Sequence, residues 1–236
     1  MRFIIYTLFL LLTYAPNLSA QKVSFTPFVQ HSRSKHTLNT TGEFANVRYE
    51  VNNDAFGYTE FGGRFDLTLF NDKSIVLSIG AHNRTITTSF ITRLEVPNSN
   101  TSVDDQSVIT NTKEYIVPFL EASYQIKLPR NFSVQPILSI KYLTEIYKNK
   151  DTDSFPGVWE EQVKTFIEAV EGSIRPTHLF FETGLNVTYR RYGIFARHGT
   201  HLGSSITDDL DDGGTQLSFG NSYKVSTIGF SFVLFR

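Results

Sequence analysis

The chain has 236 residues, a formal net charge of -1 and no cysteine, and its aromatics are 21 Phe and 11 Tyr against a single Trp. That length suits one domain. The near-neutral charge argues against a nucleic-acid footprint or a polybasic membrane tether. The missing cysteines exclude disulfides, thiolate metal centres and a cysteine nucleophile.

At the N-terminus Arg2 precedes the apolar run Phe3 to Leu12, which ends in the small residues Leu18-Ser19-Ala20. A charged start, a short apolar stretch and a small-residue end predict a cleaved export signal over 1–20 and a mature domain over 21–236. A run this short does not cross the hydrocarbon layer as a helix.

Beyond Gln21 apolar and polar residues alternate, which is the period of strands with two unlike faces. Eight segments follow, near 22–31, 56–70, 74–90, 114–128, 131–148, 178–191, 193–205 and 217–235. Leu179, Phe181, Leu185, Val187 and Tyr189 against Phe180, Glu182, Gly184 and Asn186 form the clearest pair of faces. Three connections are tight: Asn71-Asp72-Lys73, Pro129-Arg130, and a turn around Tyr192-Gly193. The other four, near 32–55, 91–113, 149–177 and 206–216, are long and polar, and long strictly alternates with short.

This rhythm predicts an all-β, antiparallel up-and-down transmembrane β-barrel of eight strands, with short periplasmic turns, long external loops and both termini periplasmic. On this reading Arg64, Asp66, Glu121, Lys127, Lys141, Glu145, Glu182, Arg190 and Arg197 share the inward parity, with both signs present for pairing. A soluble, lipocalin-like binding barrel is the alternative, with the apolar face inward. An interior as narrow as that of eight strands is filled by side chains, so no transport pore is expected.

The export signal, the strand rhythm and the final strand Ile228-Gly229-Phe230-Ser231-Phe232-Val233-Leu234-Phe235-Arg236 resemble the small bacterial outer-membrane β-barrel families, in a Tyr/Phe-rich style similar to barrels of Bacteroidota. The resemblance implies a Gram-negative cell surface, contact with outer-membrane lipid and insertion by the barrel-assembly machinery, which reads an aromatic-ended last strand. Phe235 departs from the pattern, having the opposite parity to Ile228, Phe230, Phe232 and Leu234. A last-residue bulge or a shortened signal accounts for it.

Residues 158–171 break the alternation. Trp159, Val163, Phe166, Ile167 and Val170 fall at helical spacing, with Gly172 and Pro176 as stops, which predicts a helix in the third external loop. If the segment instead extends the sheet, the strand count rises to ten.

Little else carries chemistry. His198, Thr200 and Ser204 share the outward parity, and a His beside a hydroxyl can activate it toward a lipid ester. The pair is faintly similar to the His-x-Ser of outer-membrane lipid A deacylases, with Thr200 where that family has Ser and without the Asn that follows it. The alternative functional class is therefore a lipid-modifying hydrolase. His201 has inward parity. Asp208, Asp209, Asp211 and Asp212 offer hard oxygens for calcium, but Leu210 occupies a position that the EF-hand spacing needs as a ligand. No cofactor is indicated. The primary expectation is a surface barrel with a structural role, or one that binds an unknown ligand or protein through its external loops.

Overall fold

The computed structural model describes residues 22–36, 41–44, 47–52, 56–69, 75–94, 106–148, 176–203, 210–212, 215–217 and 223–235. Residues 1–20, the stretch 158–171 expected to be helical, the turn 71–73, Ser204, Asp208 and Asp209 lie outside these residues.

The strands are β1 (Lys22–His36), β2 (Thr41–Phe44), β3 (Val47–Asn52), β4 (Phe56–Leu69), β5 (Ile75–Leu94), β6 (Gln106–Tyr124), β7 (Ile126–Leu128), β8 (Phe132–Lys148), β9 (Thr177–Tyr189), β10 (Tyr192–Leu202), β11 (Leu210–Asp212), β12 (Thr215–Leu217) and β13 (Tyr223–Phe232). β1, β4, β5, β6, β8, β9, β10 and β13 pair in that order, every pair antiparallel, and β13 returns to pair with β1. The sheet closes with eight staves and therefore leaves no edge.

Stagger accompanies closure. Paired residues run from Val134 through Val187, Ile194, Phe230, Val29 and Phe61. The Phe61 N–H then meets the Asn83 side chain, Asn83 pairs with Ile116, and Ile116 pairs with Thr144. One circuit thus returns to β8 ten residues higher, at 144 rather than 134. A stagger of this kind tilts barrel strands by roughly 35–45°.

The strands extend further than alternation predicts. β1 continues to His36, the β2–β3 hairpin occupies part of 32–55, and β3 continues the line of β4 along β5. β5 and β6 pair without interruption from Ile75↔Tyr124 to Arg93↔Gln106, well into the expected loop 91–113. Gln106-Ser-Val-Ile-Thr-Asn-Thr-Lys113 is polar but rich in β-branched residues, so it keeps strand propensity after the apolar signal has ended. β11 and β12 pair with each other from Leu210↔Leu217 to Asp212↔Thr215, so Leu217 belongs to this small pair and not to the last strand, which is Tyr223–Phe232.

The third short turn is also corrected. Tyr189 pairs with Tyr192, so the turn residues are Arg190 and Arg191, and Gly193 already belongs to β10. Phe235 finds its place through a bulge. Phe28↔Ser231 sets the β1–β13 register, yet Phe25 bridges Phe235 rather than Leu234, so one extra residue is inserted. That single insertion reverses parity. Phe235 then faces outward and its ring lies 6.1 Å from that of Phe25.

Candidate functional site

The two faces of the wall differ sharply. Phe61, Phe230, Ile228 and Leu138 are 63%, 60%, 57% and 55% exposed, whereas Glu60, Arg84, Lys141 and Glu182 are no more than 2% exposed. The apolar face is outside and the charged face inside, the reverse of the lipocalin-like alternative. No apolar ligand chamber fits such an interior.

Three inward rings, Phe28, Phe119 and Phe195, meet in the middle of the bore. The centroids of Phe119 and Phe195 lie 6.1 and 5.9 Å from that of Phe28 in edge-to-face arrangements. Each ring sits across from a glycine on the neighbouring strand: Phe28↔Gly62, Phe119↔Gly80 and Phe195↔Gly229. A Cβ at any of these glycines would come within 2.6 Å of the ring. The glycines are small because the rings lie over them, a pairing used to fill and stiffen curved sheets.

Charged groups flank this plug on both sides. Toward the long connections, Arg84 Nε lies 3.0 Å from Glu60 and its Nη1 3.3 Å from Glu182, while Lys141 Nζ lies 2.6 Å from Glu182. Glu60 also accepts hydrogen bonds from Gln30 at 2.5 Å and Ser32 at 2.9 Å, and His82 Nδ1 lies 3.2 Å away. Toward the short turns, Arg64 contacts Asp66 at 2.9 Å and Glu121 at 3.1 Å, and Arg197 reaches Glu121 at 2.7 Å. Thr26 and Ser78 donate to Asp66 at 2.7 and 2.6 Å.

Each group holds two carboxylates against two basic side chains, so each is neutral in sum. A buried charge without a partner is very costly, and neutrality is what makes a charged interior tolerable. Cations also bind the plug: Arg197 Cζ lies 4.6 Å from the Phe195 centroid and Lys141 Nζ 5.8 Å from that of Phe119. Contacts of this kind contribute most where water is excluded.

Nearer the long connections, Tyr115, His178, His201 and Phe180 form a ring chain with centroids 5.5–5.8 Å apart. His201 thus lies inside, as its parity indicates. Lys113 and Glu145 pair at 2.9 Å at the same end.

Most of the expected inward charges are therefore brought together. Lys127 and Arg190 are the exceptions: both are exposed at the turn end, where they border the mouth rather than the closed interior. Sequence reading missed Glu60, His82 and Arg84 as a group. Continuing the parity of Val76 and Ser78 through Gly80 to His82 and Arg84 finds the last two. Gly80, Ala81 and Asn83 weaken the alternation there and hide the signal.

His198 and Thr200 face outward on β10. The hydroxyl beside His198 is that of Ser226, its β13 partner, with Nδ1···Oγ at 3.1 Å. Around this pair the register places Thr183 on β9 and Arg33 on β1, neither of them a carboxylate. Asp211 and Asp212 lie in β11, paired with Gln216 and Thr215. Among the described residues no three His, Asp or Glu side chains converge as metal ligands.

No protein-family model and no curated protein matches the sequence. Solved structures do. Ail, the attachment invasion locus protein of Yersinia pestis, solved with the heparin analogue sucrose octasulfate, aligns over 90% of this chain and 99% of its own, at 10% identity and a TM-score of 0.37. The outer membrane protein OprG of Pseudomonas aeruginosa aligns over 90% and 97%, at 11% identity and a TM-score of 0.44. The translocator domain of the autotransporter NalP of Neisseria meningitidis covers 97% of this chain and 95% of its own, at 10% identity and a TM-score of 0.22. The chain resembles bacterial outer-membrane barrels. At these identities and scores the closed barrel rests on its own strand pairings, and the argument for a membrane rests on the polarity of its two faces.

Proposed function

We propose that the chain is an outer-membrane barrel, exported by residues 1–20 and inserted by the barrel-assembly machinery. Its role is structural or surface-binding through the long external connections, without transport. The observation that carries this reading is the inverted polarity: large apolar side chains cover the outside of a closed wall whose inside holds two neutral ion-pair groups. In water such a continuous apolar exterior is a severe liability. In hydrocarbon it is the favourable arrangement, because closure satisfies every ladder hydrogen bond within the protein. The plug of Phe28, Phe119 and Phe195 supports a role without solute passage. Binding then falls to the connections that a rigid barrel presents.

Membrane fractionation followed by gel migration with and without boiling tests the reading. Recovery with the outer membrane and a shift on boiling are expected. Soluble recovery without a shift overturns it.

A second reading, a lipid hydrolase, is favoured by one contact: His198 Nδ1 beside the Ser226 hydroxyl on the outward face. A hydroxyl so placed faces acyl esters of surrounding lipid, and the imidazole is the base that activates it. Release of fatty acid from outer-membrane lipid by the purified barrel tests this second reading.

A further inference from the structure

Among the described residues the turn end of the barrel is strongly cationic. Lys22, Lys127, Arg130, Arg190 and Arg191 all lie there. Among the described residues Asp66 lines the same mouth and, like Glu121, is held by Arg64, while the Arg190 guanidinium lies over the Tyr189 ring at 5.2 Å. Lys127, Arg190 and Arg191 line a polar cavity of about 230 Å³ inside the mouth. The same three, with Gln125 and Thr188, line an adjoining recess of about 640 Å³ that also takes in Leu128 and Phe132. A single path therefore leads from the polar mouth, past three cations, onto the apolar outer surface.

Two independent features point to a purpose for this recess. First, the turns that form it are fixed to one another and to the last strand. The Arg190 N–H donates to the Asn131 carbonyl at 3.1 Å, and the Val233 N–H donates to the Arg191 carbonyl at 2.9 Å. Arg130 and Arg190 adopt φ of 60° and 55°, in the left-handed region where glycine or asparagine is the easier residue. The turns themselves do not ask for arginine, and strain of this kind points toward function. Second, an aromatic collar surrounds the same level. Phe132–Tyr189, Phe25–Phe65 and Tyr192–Phe232 have ring centroids 4.7, 4.9 and 5.2 Å apart. Such girdles mark the headgroup level of a bilayer.

We infer that this recess binds the phosphate of an anionic phospholipid in the turn-side leaflet, with Lys127, Arg190 and Arg191 around the phosphate and the acyl chains passing over Leu128 and Phe132. Planar guanidinium groups match pairs of phosphate oxygens, and the lysine adds a mobile point charge. Three cations favour a headgroup with net negative charge over a zwitterionic one, whose ammonium they repel. The apolar wall at Leu128 and Phe132 favours a lipid over free phosphate. The inference rests on the membrane reading above.

Native mass spectrometry of the full-length barrel refolded in detergent, exposed separately to phosphatidylglycerol and phosphatidylcholine, tests it. Wild type is expected to retain phosphatidylglycerol about tenfold better than phosphatidylcholine. That preference is expected to vanish in Lys127→Gln/Arg190→Gly/Arg191→Gln, where glycine suits the φ of position 190. Lys127→Gln/Arg191→Gln, which leaves the turn at 190 untouched, should lose most of it. The boiling shift, run in parallel, reports closure of the barrel. A folded band with equal retention of both lipids overturns the lipid site and leaves the membrane reading intact. Displacement of phosphatidylglycerol by inorganic phosphate at about its own concentration assigns the site to free phosphate and overturns the lipid assignment. Absence of a folded band in any lipid or detergent overturns both.

Discussion

Phe195 reaches across the sheet to Gly229, its partner on β13, so closely that a Cβ at position 229 would stand 2.4 Å from the ring's Cζ. The same Cβ would stand 2.6 Å from the Val29 carbonyl oxygen, so neither backbone nor ring has room to give. Gly229→Ala should therefore destabilise the folded barrel by about 1–3 kcal/mol, the usual range for overpacking a filled interior. Urea titration of the refolded protein, read by the boiling shift, measures it. Gly57→Ala is the control, because the atom it meets is the ring end of outward-facing His31, which can swing away. Its effect should stay within about 0.5 kcal/mol. Combining Gly229→Ala with Phe195→Leu should recover part of the loss, since contacting residues do not act additively.

The Glu60 carboxylate is contacted by Arg84, His82, Gln30 and Ser32 at once. Glu60→Gln keeps the shape but leaves this group with one negative charge against two cations. A loss of about 3–5 kcal/mol is expected in the same titration, as for a buried pair broken from one side. Glu60→Met with Arg84→Met should cost less than the two single changes together, because the charges leave as a pair. A neutral outcome for Glu60→Gln would mean that water reaches the group.

Leu138 pairs with Ala122 on one side and Thr183 on the other, is exposed, and lies six residues along β8 from Phe132 of the aromatic collar. Facing lipid, Leu138→Arg should cost about 2–4 kcal/mol of stability in vesicles, the cost of an arginine near the middle of a bilayer. Facing water, the same change stays within about 0.5 kcal/mol. Folding titrations in phosphatidylcholine vesicles distinguish the two, and a near-zero effect would turn every strand face around.

His198 and Ser226 face outward within hydrogen-bond distance. If the chain hydrolyses lipid esters, His198→Ala and Ser226→Ala each abolish fatty-acid release while the boiling shift is unchanged, and Thr200→Ala leaves release near wild type. Absence of release by the wild-type barrel removes the hydrolase reading.

How much was legible in the sequence differs between face and partner. The outward run Leu179, Phe181, Leu185, Val187 and Tyr189 could be read from β9 alone, because side-chain direction in a strand repeats every two residues whatever the strand pairs with. The short turn at Pro129 was legible for a similar reason, since a proline beside polar residues interrupts the ladder locally. Strand ends were not: β5 and β6 run on to Arg93 and Gln106 through polar residues, and their pairing, not their hydrophobicity, keeps them extended. The bulge that turns Phe235 outward depends on where β1 stands, and no pattern within the last ten residues contains that information.

The sequence by itself determined which face most side chains of each strand take and the alternation of long with short connections, both of which are local periodicities. Only the tertiary structure decided which charges meet. Glu60 on β4, Arg84 on β5, Lys141 on β8 and Glu182 on β9 converge, while Arg64, Glu121 and Arg197 join from β4, β6 and β10. Pairing across the bore depends on closure and on the stagger between strands, and a shift of register on any stave would hand each carboxylate a different partner.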